Sequence, residues 1–589
     1  MKNATPILVF LMLLLKLSWL SAQHVYSVHS HNDYEQQYPF WYAYTAGAGS
    51  IEADVILKEG TLFVAHSIDE ISSENTFERL YLKPLQQLAG NGELRSLQLL
   101  VDIKTAAEET LQAVVASIYN YPTLLNAGKV SFVISGNRPD QATYADYPNF
   151  ISFDLQDPDG LETVDRSKIA MVSLNYKDYS VWNGYGRMVK NDLEKVTEVV
   201  EKVHNAGIPI RFWGTPDTKT AWSSFAKLGI DLINTDKPAV AVQYLSKLIE
   251  RTYTRTEPIP VYIPEYKHKA DRRPDNIIVM IGDGNGLAQI SSAMIANRGS
   301  LSLLNLRDIG FLKTASYDNL NTDSAAGATA IATGHKTNNR AIGVDPKGRL
   351  LEDLIEITTG KGFNTGIVTT DAIFGATPSA FFAHRKERDD TKGLTSDLVD
   401  SDLGFFIAGG KQEVEAIAKR FTTVTLEDLK FGSAVYLGEN KAPSVKEGRG
   451  NVFPDAVKQA LKTLKNAKKP FFLMIEGAQI DNGGHSNDIE KIVEEMLDFD
   501  QAVAEVLEFI DRNPNTLVII TADHETSGLG IAGGDLSEGT IQADFLTIDH
   551  TGIMVPIFAY GPGSSEFRGV YENNEVFDRI INTLKLNTK

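Results

Sequence analysis

Four short stretches in the second half of the chain bring together residue types that bind metal ions. Glu476-Gly-Ala-Gln-Ile-Asp481-Asn-Gly-Gly-His485 places two carboxylates and an imidazole within ten residues. Asp523-His524, His550-Thr551-Gly552 and Gly282-Asp283-Gly284 add more. The chain has no cysteine, so thiolate ligands and disulfides are excluded. Asp and His together suit zinc in a catalytic site that keeps an open position. Taken alone, His550 reads as a structural, hydrogen-bonding imidazole; the recurrence of such motifs in one region turns the reading toward a metal. Asp283-Gly-Asn285-Gly could open a calcium loop, but that loop needs a Glu at its twelfth position, which here is Met294. Thr322-Asp323-Ser324-Ala-Ala-Gly adds a hydroxyl at a tight helix start, where the helix N-terminus favours an anion and lowers the cost of an alkoxide. By itself that motif reads rather as a helix cap, for which Ser and Asp are the commonest residues.

In the first half a second set recurs in His29-Ser-His31-Asn-Asp, Ile51-Glu52-Ala-Asp54, Val64-Ala-His66 and Val101-Asp102-Ile-Lys104. Glu52 and Asp54, two apart on a strand, point to one face. With Asp102 they offer three oxygen ligands to a hard divalent cation, magnesium or calcium. His31 and His66 could then act as base and acid across a phosphodiester, with Lys104 holding a phosphate oxygen.

These groups need elements to position them. In the second half, apolar runs of strand character end at the reactive residues: Ile277 to Ile281 before Asp283, Thr365 to Thr370 before Asp371, Phe471 to Ile475 before Glu476, and Leu517 to Thr521 before Asp523. Helical patterns such as Ile489 to Ile510 alternate with them. This predicts an α/β unit with a mostly parallel sheet, whose ligands gather beyond the carboxyl ends of the strands. In the first half, eight apolar runs lie near residues 25–28, 50–55, 97–101, 129–134, 150–153, 170–174, 209–213 and 232–233. Eight strand–helix units predict a closed (β/α)8 TIM barrel, with His29, His31, Glu52, Asp54, Asp102, Lys104 and Trp213 at its strand ends.

The second half, over roughly Asn276 to Asn587, resembles alkaline phosphatase. The motifs stand in that family's order: Asp283-Gly, Asp323-Ser324-Ala-Ala, Ala376-Thr377-Pro, Glu476-Gly-Ala-Gln-Ile-Asp481 with His485, Ala522-Asp523-His524-Glu-Thr and His550-Thr-Gly. The resemblance implies the family's α/β sandwich, with Ser324 as nucleophile and two zinc ions plus one magnesium. It also implies Asp481, His485 and His550 at a first zinc, Asp283, Asp523 and His524 at a second, and Asp283, Thr377 and Glu476 at the third site. Arg388 would clamp two phosphate oxygens, as a planar guanidinium can. Two metals about 4 Å apart would serve the attacking and leaving oxygens. The chain departs from the family at Gly375, where Asp or His is usual; the third cation is then expected to be held more loosely, with Asp371 as a candidate replacement four residues earlier.

The first half resembles the phospholipase C-like phosphodiesterases, which include the glycerophosphodiester phosphodiesterases. The likeness extends to Arg211-Phe-Trp-Gly and Asn234-Thr-Asp236-Lys-Pro, but the family's His-Arg-Gly is here His31-Asn32-Asp33.

The chain has 589 residues, 43% hydrophobic and 23% charged, with a formal net charge of −19. That charge speaks against a nucleic-acid or anionic-membrane partner and leaves small phosphate esters to be drawn in by local positive charge. Lys2, the apolar run Ile7 to Leu15 and Leu20-Ser21-Ala22 make residues 1–22 an export signal, so the protein is expected in the periplasm, at the cell surface or secreted, without a membrane span after cleavage. Residues 24–250 are expected to form the barrel, 251–275 a proline-rich linker, and 276–589 the phosphatase-like domain. A homodimer is expected. The leading reading is a two-domain phosphohydrolase whose barrel cuts a diester and whose second domain strips the monoester. The alternative keeps the phosphatase and makes the barrel a silent module that binds lipid or glycan.

Overall fold

The computed structural model describes residues 26–161, 165–269 and 272–586. The export signal read from the sequence lies outside these residues. The chain divides into two compact units, Met1–Leu248 and Ile249–Lys589.

The strands of the first unit are β1 (Ser27–Ser30), β2 (Ser50–Lys58), β3 (Thr61–Val64), β4 (Leu97–Ile103), β5 (Val130–Gly136), β6 (Ile151–Leu155), β7 (Ile169–Asn175), β8 (Ile210–Trp213) and β9 (Leu232–Thr235). Eight of them are parallel, and β1 pairs with both β2 and β9, so the barrel is closed. The expected runs all become these strands, although Val25 lies outside the described residues. The exception to the pattern is β3, an antiparallel hairpin partner of β2 that carries the chain to His66. Alternation along each strand sorts the residues. Ile51, Ala53 and Val55 of β2 join the large core between strands and helices, so Ser50, Glu52 and Asp54 turn into the barrel. Leu100, Val133 and Met171 form a separate small apolar cluster. Leu100 is in register with both Glu52 and Val133, and one step further along, Asp54, Asp102 and Ser135 share a layer. The barrel interior therefore turns from apolar to ionisable toward the carboxyl ends of its strands, where barrel chemistry sits.

The second unit contains β10 (Thr252–Thr254), β11 (Asn276–Gly282), β12 (Asp308–Lys313), β13 (Asn364–Ala372), β14 (Phe406–Gly409), β15 (Thr422–Thr423), β16 (Ser433–Tyr436), β17 (Phe471–Gly477) and β18 (Thr516–Thr521). It continues with β19 (Glu525–Thr526), β20 (Leu529–Asp535), β21 (Thr540–Phe545), β22 (His550–Thr551), β23 (Val555–Tyr560) and β24 (Gly569–Glu572). Ten of these make one sheet in the order β15-β16-β14-β13-β17-β11-β18-β23-β12-β24. It is parallel except where β23 runs against β18 and β12. Each face is covered. Ile277, Val279 and Ile281 enter one core, while Ile278 and Met280 enter the other. Such two-sided burial explains why these strands read as unbroken apolar runs.

The proline-rich segment expected to link the domains lies against the second unit. β10 pairs with β21, Tyr262 donates to Asp511 Oδ2 at 2.9 Å, and the Tyr266 amide donates to the Tyr560 hydroxyl at 2.9 Å.

Candidate active sites at the strand ends of both units

Four neighbouring parallel strands of the second unit, β13, β17, β11 and β18, end in register. Thr369 pairs with Glu476, and Ile281 pairs with both Glu476 and Thr521. The residues that follow or close these strands, Asp371, Glu476, Asp283 and Asp523, thus form one row of carboxylates. The helix Ser324–Thr333 begins beside them. Asp323 caps it, accepting from the Ala326 amide at 3.0 Å, so Ser324 is its first residue rather than its cap.

The hydrogen-bond pattern fixes where lone pairs point. His485 Nδ1 donates to Ile548 O at 2.6 Å, and His550 Nδ1 donates to Thr322 O at 2.8 Å. While both rings are neutral their Nε2 atoms are acceptors, yet they lie 3.2 Å apart. The Asp481 carboxylate stands 3.2 Å from one and 3.7 Å from the other. Three acceptors converge with no proton to share, which is the donor set of a cation site. A second convergence lies next to it. Thr526 Oγ1 donates to Asp481 Oδ1 at 2.5 Å and accepts from His524 Nδ1 at 3.2 Å. His524 Nε2 is therefore unprotonated, and it faces Ser324 Oγ at 3.3 Å, Asp523 Oδ2 at 3.4 Å and Asp283 Oδ1 at 3.5 Å. Asp283 Oδ1 and Asp523 Oδ2 are buried without any hydrogen-bond partner. Asp481, placed by sequence reasoning at the first cation alone, also comes close enough to Asp283 and His524 to belong to this second group. In a third place, Glu476 Oε1 and Thr377 Oγ1 are buried and unpartnered, while Glu476 Oε2 accepts from Thr369 Oγ1.

Electrostatics give the same account. Burial, then the facing carboxylates of Asp523, Asp481 and Glu476, hold Asp283 well above the ordinary carboxylate range despite Arg388. Burial, then Asp371, does the same to Glu476. Burial, helped by Asp481, pushes Asp523 up to about 6. Burial and then His550 hold His524 down at about 3. Burial alone would raise Asp481, but the imidazoles of His485, His524 and His550 hold it low. His485 rises to about 9, chiefly through its bond to Asp481, so a proton on its Nε2 and a cation compete for the same place. Carboxylates packed this closely need added positive charge to ionise together. The residues thus fit divalent cations at all three places.

Arg388 is half-buried and donates to Asp323 Oδ2 at 3.0 Å. The same oxygen accepts from the Arg340 amide at 3.0 Å. Asp323 thereby joins the start of the Ser324 helix to the guanidinium, a role that its place before the serine did not reveal.

In the barrel, Glu52, Asp54 and Asp102 lie within reach of one ion. Lys104 Nζ is 3.0 Å from both Asp54 Oδ2 and Asp102 Oδ2. His66 Nδ1 lies 3.0 Å from Asp54 Oδ2, which also accepts from Tyr34 at 2.9 Å. On the other side, His31 Nε2 is 3.9 Å from Glu52 Oε1, and its Nδ1 is 2.8 Å from Asp236 Oδ1. The two histidines thus flank the carboxylates. Asp54 Oδ1 and Asp102 Oδ1 are buried and unpartnered. Burial works against ionisation of Glu52, but Arg211 and His29 hold its carboxyl low. Asp102 is pushed up to about 6, first by burial, although Lys104 opposes this. Sequence reasoning gave Arg211 no role. It is buried, donates to Glu52 Oε2 at 2.6 Å, and is held by Asn234 Oδ1 at 2.7 and 3.0 Å. A basic residue inside a barrel strand that also carries Phe212 was the available signal. Just past the ends of β4 and β5, a groove is lined by Thr105, Asn137, Arg138 and Tyr144.

Comparison with known proteins bears on both units. The family profile described as alkaline phosphatase matches residues 274–402 and 441–544. In the first unit, a profile for an AIM6-like phosphodiesterase domain matches residues 21–93, and one for the glycerophosphoryl diester phosphodiesterase family matches residues 209–239. Alkaline phosphatase 4 of Bacillus subtilis is 30% identical over 53% of this chain and 88% of its own length. The solved alkaline phosphatase of the Antarctic bacterium TAB5 is 36% identical, covering 54% of this chain and 99% of that one with a TM-score of 0.51. A mutant of that enzyme, solved with Mg bound in the M3 site, matches with the same identity and TM-score.

Proposed function

The chain belongs to the alkaline phosphatase family, and on that footing we propose that it is an exported two-domain phosphohydrolase whose second unit hydrolyses phosphate monoesters through Ser324. The observation that carries this reading is the placement of the Ser324 hydroxyl. It stands at a helix start, 3.3 Å from an unprotonated His524 Nε2, at the edge of two groups of converging acceptors. Zinc at Asp481, His485 and His550, zinc at Asp283, Asp523 and His524, and magnesium near Asp283, Thr377 and Glu476 would supply the charge that stabilises the serine alkoxide and the departing oxygen.

The chain's own residues do the rest. Arg388, oriented by Asp323, holds two phosphate oxygens. The positive end of the helix dipole at Ser324 favours the same anion. Ser324 Oγ attacks phosphorus in line, the ester oxygen leaves on the opposite side, and water then cleaves the phosphoseryl bond and restores the hydroxyl. Ser324→Ala should lower p-nitrophenyl phosphate turnover by well over the ~10²–10³-fold typical of losing one transition-state donor. Turnover near that of the wild type would reject the assignment.

In the barrel, Glu52, Asp54 and Asp102 would hold one divalent cation, with His31 and His66 moving protons and Lys104 contacting phosphate, so that a glycerophosphodiester-like substrate is cut. A second reading rests on Lys104. Its ammonium already bridges Asp54 and Asp102, which allows a barrel that binds lipid or glycan without cutting it. Assay of a diester panel on the full-length Ser324→Ala protein, with and without magnesium or calcium, separates the two. Export is supported by the signal-like N-terminus, and among the described residues no helix is long and apolar enough to cross a membrane. Sequencing of the mature N-terminus should start at Gln23.

A further inference from the structure

Gly375 precedes the short helix Ala376–Ser379 with φ of −59°, a conformation open to any residue. Its backbone therefore does not call for glycine. Space does: a Cβ at this position would lie 2.2 Å from Asp371 Oδ2, 2.8 Å from Asp371 Cγ and 3.0 Å from Ala372 O. The carboxylate of Asp371 fills the volume in which a side chain at 375 would begin.

Asp371 sits near the end of β13, and its amide donates to Thr369 Oγ1 at 2.8 Å. Thr369 is in register with Glu476 and donates to its Oε2. Asp371 is thus two residues beyond the partner of Glu476. Glu476 Oε1 and Thr377 Oγ1, both fully buried, have no hydrogen-bond partner although they lie close enough to influence one another. Lys441 is the foremost positive charge acting on Asp371, and its ammonium is also engaged by Asn482 Oδ1. Glu476 is fully buried and Asp371 is part-buried beside it, and the unpartnered Glu476 Oε1 and Thr377 Oγ1 call for a partner that a further cation would supply.

We propose that Asp371 supplies to the third cation site, alongside Asp283, Thr377 and Glu476, the carboxylate that position 375 lacks, and that glycine stands at 375 because Asp371 occupies its space. The all-oxygen donor set suits a hard, partly hydrated cation such as magnesium. The expectation of a loosely held third cation is thereby replaced: the group is relocated along the strand, not lost. The inference rests on the phosphatase reading of this site.

Magnesium binding to the zinc-loaded full-length protein, measured by isothermal titration calorimetry, tests it. Asp371→Asn keeps the shape and removes the charge; it should weaken magnesium by about 10–100-fold. Gly375→Asp alone should lower Tm, because the new side chain meets Asp371. The double exchange Asp371→Ala with Gly375→Asp relieves that clash and should recover most of the magnesium affinity. An unchanged magnesium affinity in Asp371→Asn overturns the proposal, as does a folded double variant that binds no better than Asp371→Ala. Monoester turnover by the wild type is followed in parallel. If it persists while Asp371→Asn binds magnesium normally, this inference fails alone; if the wild type neither binds magnesium nor cleaves monoesters, the phosphatase reading fails with it.

Discussion

Asp323 does two things with two oxygens. Oδ1 caps the helix that begins at Ser324, and Oδ2 accepts from Arg388. Loss of a cap costs about 1 kcal/mol, and loss of the ion pair frees the guanidinium to wander. Asp323→Ala should therefore weaken competitive inhibition by inorganic phosphate by about 10-fold, the size of a charge-assisted hydrogen bond of ~1.5 kcal/mol. An unchanged inhibition constant would show that Arg388 is positioned by something else. Arg211 offers the matching test in the barrel. Removing one partner of a buried ion pair costs about 3–5 kcal/mol because the other charge is stranded. Arg211→Met should destabilise the first unit by that order in urea unfolding, while p-nitrophenyl phosphate turnover per folded molecule is unchanged. A loss of monoesterase activity with an intact fold would contradict the separation of the two sites.

The long helix Ile489–Arg512 shows how an element fixes distant backbone. Asp500 projects from it and accepts from the amides of Ser302 and Leu303 at 2.8 and 2.9 Å. Burial nevertheless pushes its carboxyl up to about 6. A folded-state pKa above the unfolded value means stability that is complete below about pH 4 and lost as pH rises through about 6. The span of about two pKa units corresponds to roughly 3 kcal/mol. Asp500→Asn cannot ionise, so its stability relative to wild type should improve by about that amount between pH 4 and pH 7. A difference that stays flat with pH would show that folding does not raise the Asp500 carboxyl above its ordinary range. The parallel barrel strands and four central strands of the second unit (β11, β13, β17 and β18) were legible because burial writes them as apolar runs, and the ionisable residues at their ends were legible because they interrupt those runs. The outer strands of the second sheet, such as β12, β14, β16 and β23, were not read. The hairpin strand β3 was missed: Thr-Leu-Phe-Val is too short to separate from a loop. The proline-rich segment read as a linker because proline signals broken pairing, whereas its tyrosines, which pack it on the second unit, carry no such local signal. Asp323 and Arg211 escaped for one reason. Their roles depend on partners 65 and 159 residues away in the chain, whereas Asp371 was legible because it lies only four residues before Gly375.

At the scale of the whole molecule, a formal charge of −19 offers phosphate esters no general attraction, so each site must supply its own positive charge. Cations, Arg388 and Lys104 are the means proposed for this. Because the two sets of ligands come from separate units, their activities should separate by mutation. Glu52→Gln should abolish diester cleavage and leave monoester turnover intact, and Ser324→Ala given a diester should accumulate the monoester. A folded Glu52→Gln protein that still cleaves diesters would remove the proposed barrel site.

The proposed monoesterase stands or falls with phosphorylation of Ser324. Protein equilibrated with inorganic phosphate at acidic pH, where hydrolysis of the phosphoseryl bond is slowest relative to its formation, can be quenched, digested and sequenced by mass spectrometry. One phosphate is expected, carried by the peptide containing Ser324 and located on that residue. Phosphate on another residue, or a steady-state turnover in Ser324→Ala equal to that of the wild type, would contradict it.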